Sequence, residues 1–262
     1  MIGVAGCGRM GAPMLAALRD GGIKAQGFDV AEKASEHITK NLMRFAPRLE
    51  TLFTVVRDAG ETDALLFDRQ NLITTAPKLT RIFICSTLSP RYVRGLRGRV
   101  PGHITLIDAP MSGAQVAAEN RELSFMLGGV PRDIEDAVPL LAMMGRHFHH
   151  MGDYGAGMQA KVLNNMLAAS HTAMTRLVLD WADAAGLDEA QLLRLIHTSS
   201  GQNWLASGFD NIEFAKDGYA ADNTIGILAK DVAAALDAAP AGADTTLPKS
   251  IQSAIRNLVP RR

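Results

Sequence analysis

Cysteine is scarce in this chain, and long apolar runs and an excess of either charge are missing. Only Cys7 and Cys85 occur in 262 residues, too few and too scattered for a disulfide framework or a cysteine zinc site. Charge is balanced, 27 Lys+Arg against 27 Asp+Glu, with a sequence pI near 7.1. Nucleic acid and anionic membrane surfaces usually require a basic excess, so neither is expected as a partner. No apolar run approaches the roughly 18 residues of a membrane helix. The opening MIGVAGCG has no basic segment of the signal-peptide kind and already reads as folded structure. A cytoplasmic protein is the expectation. Neither an internal repeat nor a low-complexity tail is present.

What is there is length and alternation. The chain is long enough for two domains, and 47% of it is hydrophobic. Short apolar runs at 2–5, 23–28, 52–56, 81–86, 104–108 and 123–127 read as strands. Helical patterns near 11–20, 31–42, 61–67, 89–97 and 132–144 lie between them. Such alternation predicts a doubly wound, mainly parallel sheet of the Rossmann type, with helices on both faces. Whether 41–48 holds a further strand is left open by the pattern. Beyond about residue 152 strand signals give way to helices near 156–185, 188–198, 224–238 and 246–258, broken at Gly186, Gly201 and Pro240. The expected architecture is therefore an α/β domain over 1–154 and an all-α domain over 155–262, hinged near 152–157.

Gly6-Cys7-Gly8-Arg9-Met10-Gly11 fits G-x-G-x-x-G. The hexapeptide alone is weak evidence, but a strand precedes it and a helix follows, with Pro13 in the first turn where its missing N–H costs nothing. Gly6 suits a tight turn, Gly8 lets a pyrophosphate approach the backbone, and Gly11 lets helix and strand pack closely. The next strand ends at Asp29, placed to accept from both ribose hydroxyls and to repel a 2′-phosphate. Val30 rather than arginine follows, so NAD is expected over NADP. A Gly-rich turn without a ligand is the alternative.

On the helix near 156–185, at about 100° per residue, Val162, Leu163, Met166, Leu167, Met174, Leu177, Val178 and Trp181 share one face. Lys161, Asn165 and Thr172 cluster opposite, with Lys161 and Asn165 one turn apart. No acidic residue lies between Asp153 and Asp180, so the helix offers no acid in the turns around Lys161. Either an ordinary solvated face or a site for an anionic ligand accounts for this stripe. His147, His149 and His150 resemble a metal cluster, yet 147 and 149 share one strand face and 150 points away. Only Asp153 could complete the set, so a structural role is preferred and no metal is expected. Cys7 sits beside a helix N-terminus, where thiols can be reactive, although a small residue tolerated in the loop is the simpler account.

Taken together, GCGRMGAPM (6–14), CSTLSP (85–90), DAPMSGA (108–114), LSFMLGG (123–129), GAGMQAKVLNN (155–165) and AKDVAAA (229–235) resemble the β-hydroxyacid dehydrogenase family over nearly the whole chain. That family includes 3-hydroxyisobutyrate dehydrogenases and shares its architecture with 6-phosphogluconate dehydrogenase. The resemblance implies a nicotinamide cofactor and a small carboxylate substrate bound between the two domains. It implies Lys161 as catalytic acid/base, Asn165 as a substrate-binding residue, and Ser112, Gly113 and Ala114 as the carboxylate-binding segment. Arg9 and Met10 of the loop, Val56, Thr87 and Lys230 match cofactor-lining positions, and a homodimer or homotetramer is implied. Ala114 stands where the family carries a second glycine, so a positive φ there would be strained. Arg57 stands where it carries proline, and the stretch after Asp29 is short. A lysine ordinarily titrates near ~10.4, so work as a base at neutral pH calls for burial or a neighbouring cation such as Lys230. Trp204 and Phe209 could wall a pocket, though core packing is the simpler role. Imine reductases of the same architecture, usually without the lysine, and a non-catalytic NAD-binding module are the competing readings.

Overall fold

The computed structural model describes residues 1–261 and divides into two compact units, Met1–Lys161 and Val162–Arg262. Unit 1 contains strands β1 (Ile2–Ala5), β2 (Ala25–Phe28), β3 (Ile38–Thr39), β4 (Thr51–Thr54), β5 (Arg81–Ile84), β6 (Thr105–Asp108), β7 (Met111–Ser112), β8 (Leu123–Gly128) and β9 (Gly145–Gly152). Its helices are α1 (Gly11–Asp20), α2 (Leu42–Phe45), α3 (Ala59–Leu66), α4 (Leu72–Thr75), α5 (Pro90–Leu96), α6 (Ala114–Glu119) and α7 (Pro131–Leu141). The strands form one sheet in the order β3-β2-β1-β4-β5-β6-β8-β7, with β9 paired to β8. Pairing from β3 through β6 is parallel throughout; β8 runs antiparallel to β6 and β7.

Alternation along the strands explains how both faces are covered. Val4, Phe53 and Phe83 enter one apolar cluster, whereas Ala5, Leu52, Ile82 and Ile84 enter the other. Successive strand residues point to opposite faces, so a strand buried on both sides must be apolar throughout. Phe53 and Phe83, on adjacent strands, stack with centroids 4.4 Å apart.

The helix expected near 31–42 does not form. The Asp29 carboxylate accepts from the Ala31 N–H, and turn bonds from Ser35 to Lys33 and from Ile38 to Ser35 fold this stretch into a short connection. Ile38 and Thr39 then pair with β2, and Asn41 caps α2 by accepting from the Met43 N–H. A side chain that bonds its neighbouring backbone competes directly with helix. Residues 42–48 are accordingly helical, α2 running into a 3-10 turn at Ala46–Arg48. The sequence pattern also passed over α4, α6 and β7, each too short to show periodicity.

Helix α8 (Ala156–Ala184) crosses the division between the units, and the division expected at 154/155 lies just before its first residue. Its beginning is fixed by Asp108 at the tip of β6. That carboxylate, fully buried, accepts from Gly155 N at 2.7 Å and Met158 N at 2.5 Å. It thus takes up amides that a helix N-terminus leaves without intrahelical partners. Burial pushes the carboxyl above its usual range, opposed by those two amides. Glycines permit the approach. A Cβ on Gly128 would stand 2.2 Å from Asp108 Oδ1, and one on Gly157 would stand 2.3 Å from Met126 O.

Unit 2 completes α8 and adds α9 (Glu189–His197), α10 (Trp204–Ser207), α11 (Thr224–Asp237) and α12 (Thr246–Arg256). Leu179, Leu205, Phe209, Ile225, Val232 and Ile255 are among its buried core. The segment after α12 is stapled back onto the unit. Arg261 binds Asp180 at 2.5 Å, Asp183 at 2.6 Å and Glu189 at 2.7 Å, while buried Arg176 donates to the carbonyls of Ala215, Asp217 and Val259.

Replacing Asp108 with alanine strands two buried N–H groups and should lower unfolding stability by about 2–4 kcal/mol. Urea denaturation with an unchanged midpoint would refute the capping role.

Candidate functional site

The strand order reverses direction on either side of β1: the chain runs outward to β2 and β3, then returns to β4 and continues the other way. In open α/β sheets such a switch point leaves a crevice at the carboxyl ends of the strands. The Gly-rich loop follows β1 at this point, and Val56 follows β4. Gly6 has φ +90°, and a Cβ there would lie 2.5 Å from the Val55 carbonyl oxygen. A Cβ on Gly11 would lie 2.0 Å from the Gly6 carbonyl oxygen, so α1 starts directly against the loop. Around Gly8, by contrast, no atom lies within 4 Å of where a Cβ would stand. Helix α1 has no side-chain cap and no acidic residue in its first turn. An open backbone before an uncapped helix N-terminus suits a phosphate. The loop therefore has the shape and polarity a dinucleotide pyrophosphate requires.

Asp29 lies beside this loop: its Oδ2 accepts from Cys7 N at 2.9 Å, its Oδ1 from Ala31 N at 2.9 Å, and Lys33 Nζ is 3.7 Å from Oδ2. Arg9 is exposed, Met10 is half-buried at the N-cap of α1, and Thr87 is half-buried just after β5. Ser112 ends β7 and is half-buried; Gly113 has φ +133° and Ala114 has φ +54°. The strain that alanine would incur in a left-handed conformation is thus present. Lys161, the last residue of unit 1, is buried. Because Asp108 fixes the first turn of α8, it also fixes the stretch of helix that carries Lys161.

Two of the residues expected at the site from the sequence fall in unit 2. Asn165 is buried and donates through Nδ2 to Asp231 Oδ2 at 2.6 Å; Lys230 Nζ stands 3.0 Å from Asp231 Oδ1. Neither Asp231 nor Asp108 was picked out from the sequence. The available signal was an acid among apolar neighbours, Asp231 between Leu228, Ala229 and Val232, and Asp108 after an apolar strand.

The polar stripe of α8 is not a solvated face. Lys161, Asn165, Thr172, Thr175 and Arg176 are buried, while Leu163, Leu167, Met174, Leu177 and Trp181 are exposed. Trp181 is 70% exposed. Buried polar and exposed apolar side chains thus coexist on this helix with ordinary core positions such as Val162, Ala169 and Leu179.

His147 and His149 stack on one another on β9 with centroids 6.5 Å apart, and His150 Nε2 lies 3.2 Å from the Gly129 carbonyl oxygen. No group of three or more potential metal ligands occurs among the described residues. Phe209 packs in the core of unit 2, and Trp204 is 40% exposed with its ring 6.0 Å from that of Phe214. No helix among the described residues is long and apolar enough to cross a membrane.

Residues 1–152 match the family described as the NAD binding domain of 6-phosphogluconate dehydrogenase. Residues 155–259 match the family described as NAD-binding of NADP-dependent 3-hydroxyisobutyrate dehydrogenase. A 3-hydroxyisobutyrate dehydrogenase of Pseudomonas aeruginosa is 30% identical over 245 residues, covering 88% of this chain and 82% of the relative. The chain belongs to the β-hydroxyacid dehydrogenase family. An NAD-dependent L-serine dehydrogenase of the same organism is a further relative of this family member, 28% identical over 92% of this chain and 86% of that one. Among solved structures, a Mycobacterium tuberculosis 3-hydroxyisobutyrate dehydrogenase described with L-serine superposes with a TM-score of 0.81. It is 25% identical, with 98% of this chain and 95% of that one covered.

Two measurements follow from the local geometry. Ala→Gly at the start of a helix ordinarily destabilises, but Ala114→Gly relieves a left-handed alanine and should raise stability by about 0.5 kcal/mol; a loss measured by denaturation would show that the strain is absent. Cys7 is buried and hydrogen-bonded to the carbonyls of Val4 and Phe28; burial, then the Asp29 charge, pushes its thiol up to about 12. Burial raises Cys85 as well. Since the thiolate is the reactive form, neither should react with a disulfide reagent at pH 8 until the chain is unfolded.

Proposed function

We propose that this chain is an NAD-dependent dehydrogenase that interconverts a small 3-hydroxy acid and its semialdehyde or oxo acid, with Lys161 as general acid/base. The observation that carries this reading is a buried lysine, on a stretch of helix without acidic residues, in the same compact unit as an open phosphate loop. Ser112 and the Gly113 and Ala114 amides supply donors for the substrate carboxylate, and Asn165 contributes a further polar contact. Thr87, Val56 and Lys230 complete the cofactor-lining set.

A bound nicotinamide would supply the hydride acceptor for oxidation and the hydride donor for reduction. Lys161 takes the proton of the substrate hydroxyl as the C–H bond breaks, and in the reverse direction it gives that proton to the carbonyl oxygen. The carboxylate contacts hold the reacting carbon in register, so Lys161 meets only the hydroxyl attached to it. NAD is favoured over NADP because the Asp29 carboxylate would oppose a 2′-phosphate. The exposed apolar stripe of α8 is where we place self-association of the chain; sedimentation as a single 28.0 kDa species would refute that placement.

Acid–base assistance of this kind is typically worth about 10²–10⁴ in rate. Lys161→Ala should lose at least that much turnover on short 3-hydroxy acids, followed by the absorbance of the reduced nicotinamide, while NAD still binds. Near-wild-type turnover would remove Lys161 from the mechanism, and a preference for NADP would overturn the reading of Asp29. Silence of the wild-type chain across the acids, with NAD bound, would favour an imine substrate or a non-catalytic role.

A further inference from the structure

The parallel ladder between β1 and β2 does not stop with the strands. Gly6 N donates to the Phe28 carbonyl at 2.9 Å, which is the last main-chain rung. The next amide, that of Cys7, has turned with the left-handed Gly6 and donates to the Asp29 side chain at 2.9 Å. The second oxygen of the same carboxylate accepts from Ala31 N, and Lys33 stands beside the first. With its side chain only 12% exposed, Asp29 is clamped from two directions by backbone. One of those directions is the middle of the phosphate loop, one residue before the open position at Gly8. A carboxylate oxygen has a second lone pair, so these bonds leave capacity for a hydroxyl ligand.

We propose that Asp29 is a positioning residue for the phosphate loop as well as an acceptor for the adenosine ribose, so that one carboxylate couples ribose recognition to loop shape. This rests on the dinucleotide reading of the loop. Removal of the carboxylate then costs more than the ribose contacts, because the Cys7 amide loses its partner and the Gly6–Gly8 turn its anchor. Asparagine replaces it only in part: its one carbonyl oxygen can serve Cys7 or Ala31, while its nitrogen donates.

Amide hydrogen exchange on the ligand-free chain tests the anchor. In Asp29→Ala the Cys7 and Gly8 amides should exchange about tenfold faster or more, with β1 and β2 amides unchanged and Asp29→Asn intermediate. Unchanged Cys7 exchange in both variants would overturn the proposal. Calorimetric binding of NAD and of its 2′,3′-dideoxyadenosine analogue tests the coupling. The analogue has no adenosine-ribose hydroxyls to lose, so weaker binding to Asp29→Ala than to wild type, by about tenfold, reports the loop alone. Equal or tighter binding of the analogue would overturn the proposal, since removing a negative charge by itself favours the pyrophosphate. Should Asp29→Ala fail to fold, Asp29→Asn carries both measurements with smaller shifts expected. Should the wild-type chain bind neither dinucleotide, the dinucleotide reading fails, and the exchange result alone decides whether Asp29 anchors the loop.

Discussion

A single buried carboxylate sets where the longest helix begins. Asp108 ends β6 and takes the Gly155 and Met158 amides, so the start of α8 is joined to the tip of a central strand. Burying a charge is costly unless hydrogen bonds compensate, and here they come from amides that would otherwise be orphaned. The arrangement works only because Gly128 and Gly157 let backbone meet backbone. Three sequence blocks, around 108, 128 and 157, are thus parts of one joint. What it delivers is register: a helix fixed at its first turn presents its later residues, Lys161 among them, at set positions.

The same logic recurs at the opposite side of the switch point. Gly6, Gly11 and Asp29 hold the glycine-rich loop through close approach and one side-chain rung, leaving Gly8 open. Rigid main chain with a single bare position is what an anion needs, because its affinity comes from N–H groups already aimed. Asp231 does comparable service in the helical unit by holding the Asn165 amide.

Much of this was legible in the sequence, for identifiable reasons. Strands β1, β4 and β5 are short apolar runs between turns, and long helices such as α8 and α11 show their ends through caps and glycines. The turn at Gly6–Gly11 was readable because glycine spacing encodes backbone geometry directly. The stretch after Asp29 misled, since helix-forming residues there are overruled by side-chain bonds to the backbone. Asp108 and Asp231 escaped because an acid among apolar neighbours does not say what it binds; the amides they hold lie 47 to 66 residues away. The polarity of α8 was visible, yet which face is buried was not, because amphipathic periodicity gives a direction without a sign.

The staple at the end of the helical unit has a bearing on biosynthesis. Arg261 reaches partners 72 to 81 residues earlier in the chain, and Arg176 reaches Val259 across 83. Until residue 261 has left the ribosome, Asp180, Asp183 and Glu189 face one another without their shared cation, and one carbonyl partner of the buried Arg176 is missing. The nucleotide-binding unit, whose contacts close by Lys161, can be complete while roughly a hundred residues are still to be made, about 5–20 s at ordinary elongation rates. During that interval the nascent chain carries a finished sheet and an unfinished bundle, with the apolar stripe of α8 facing water.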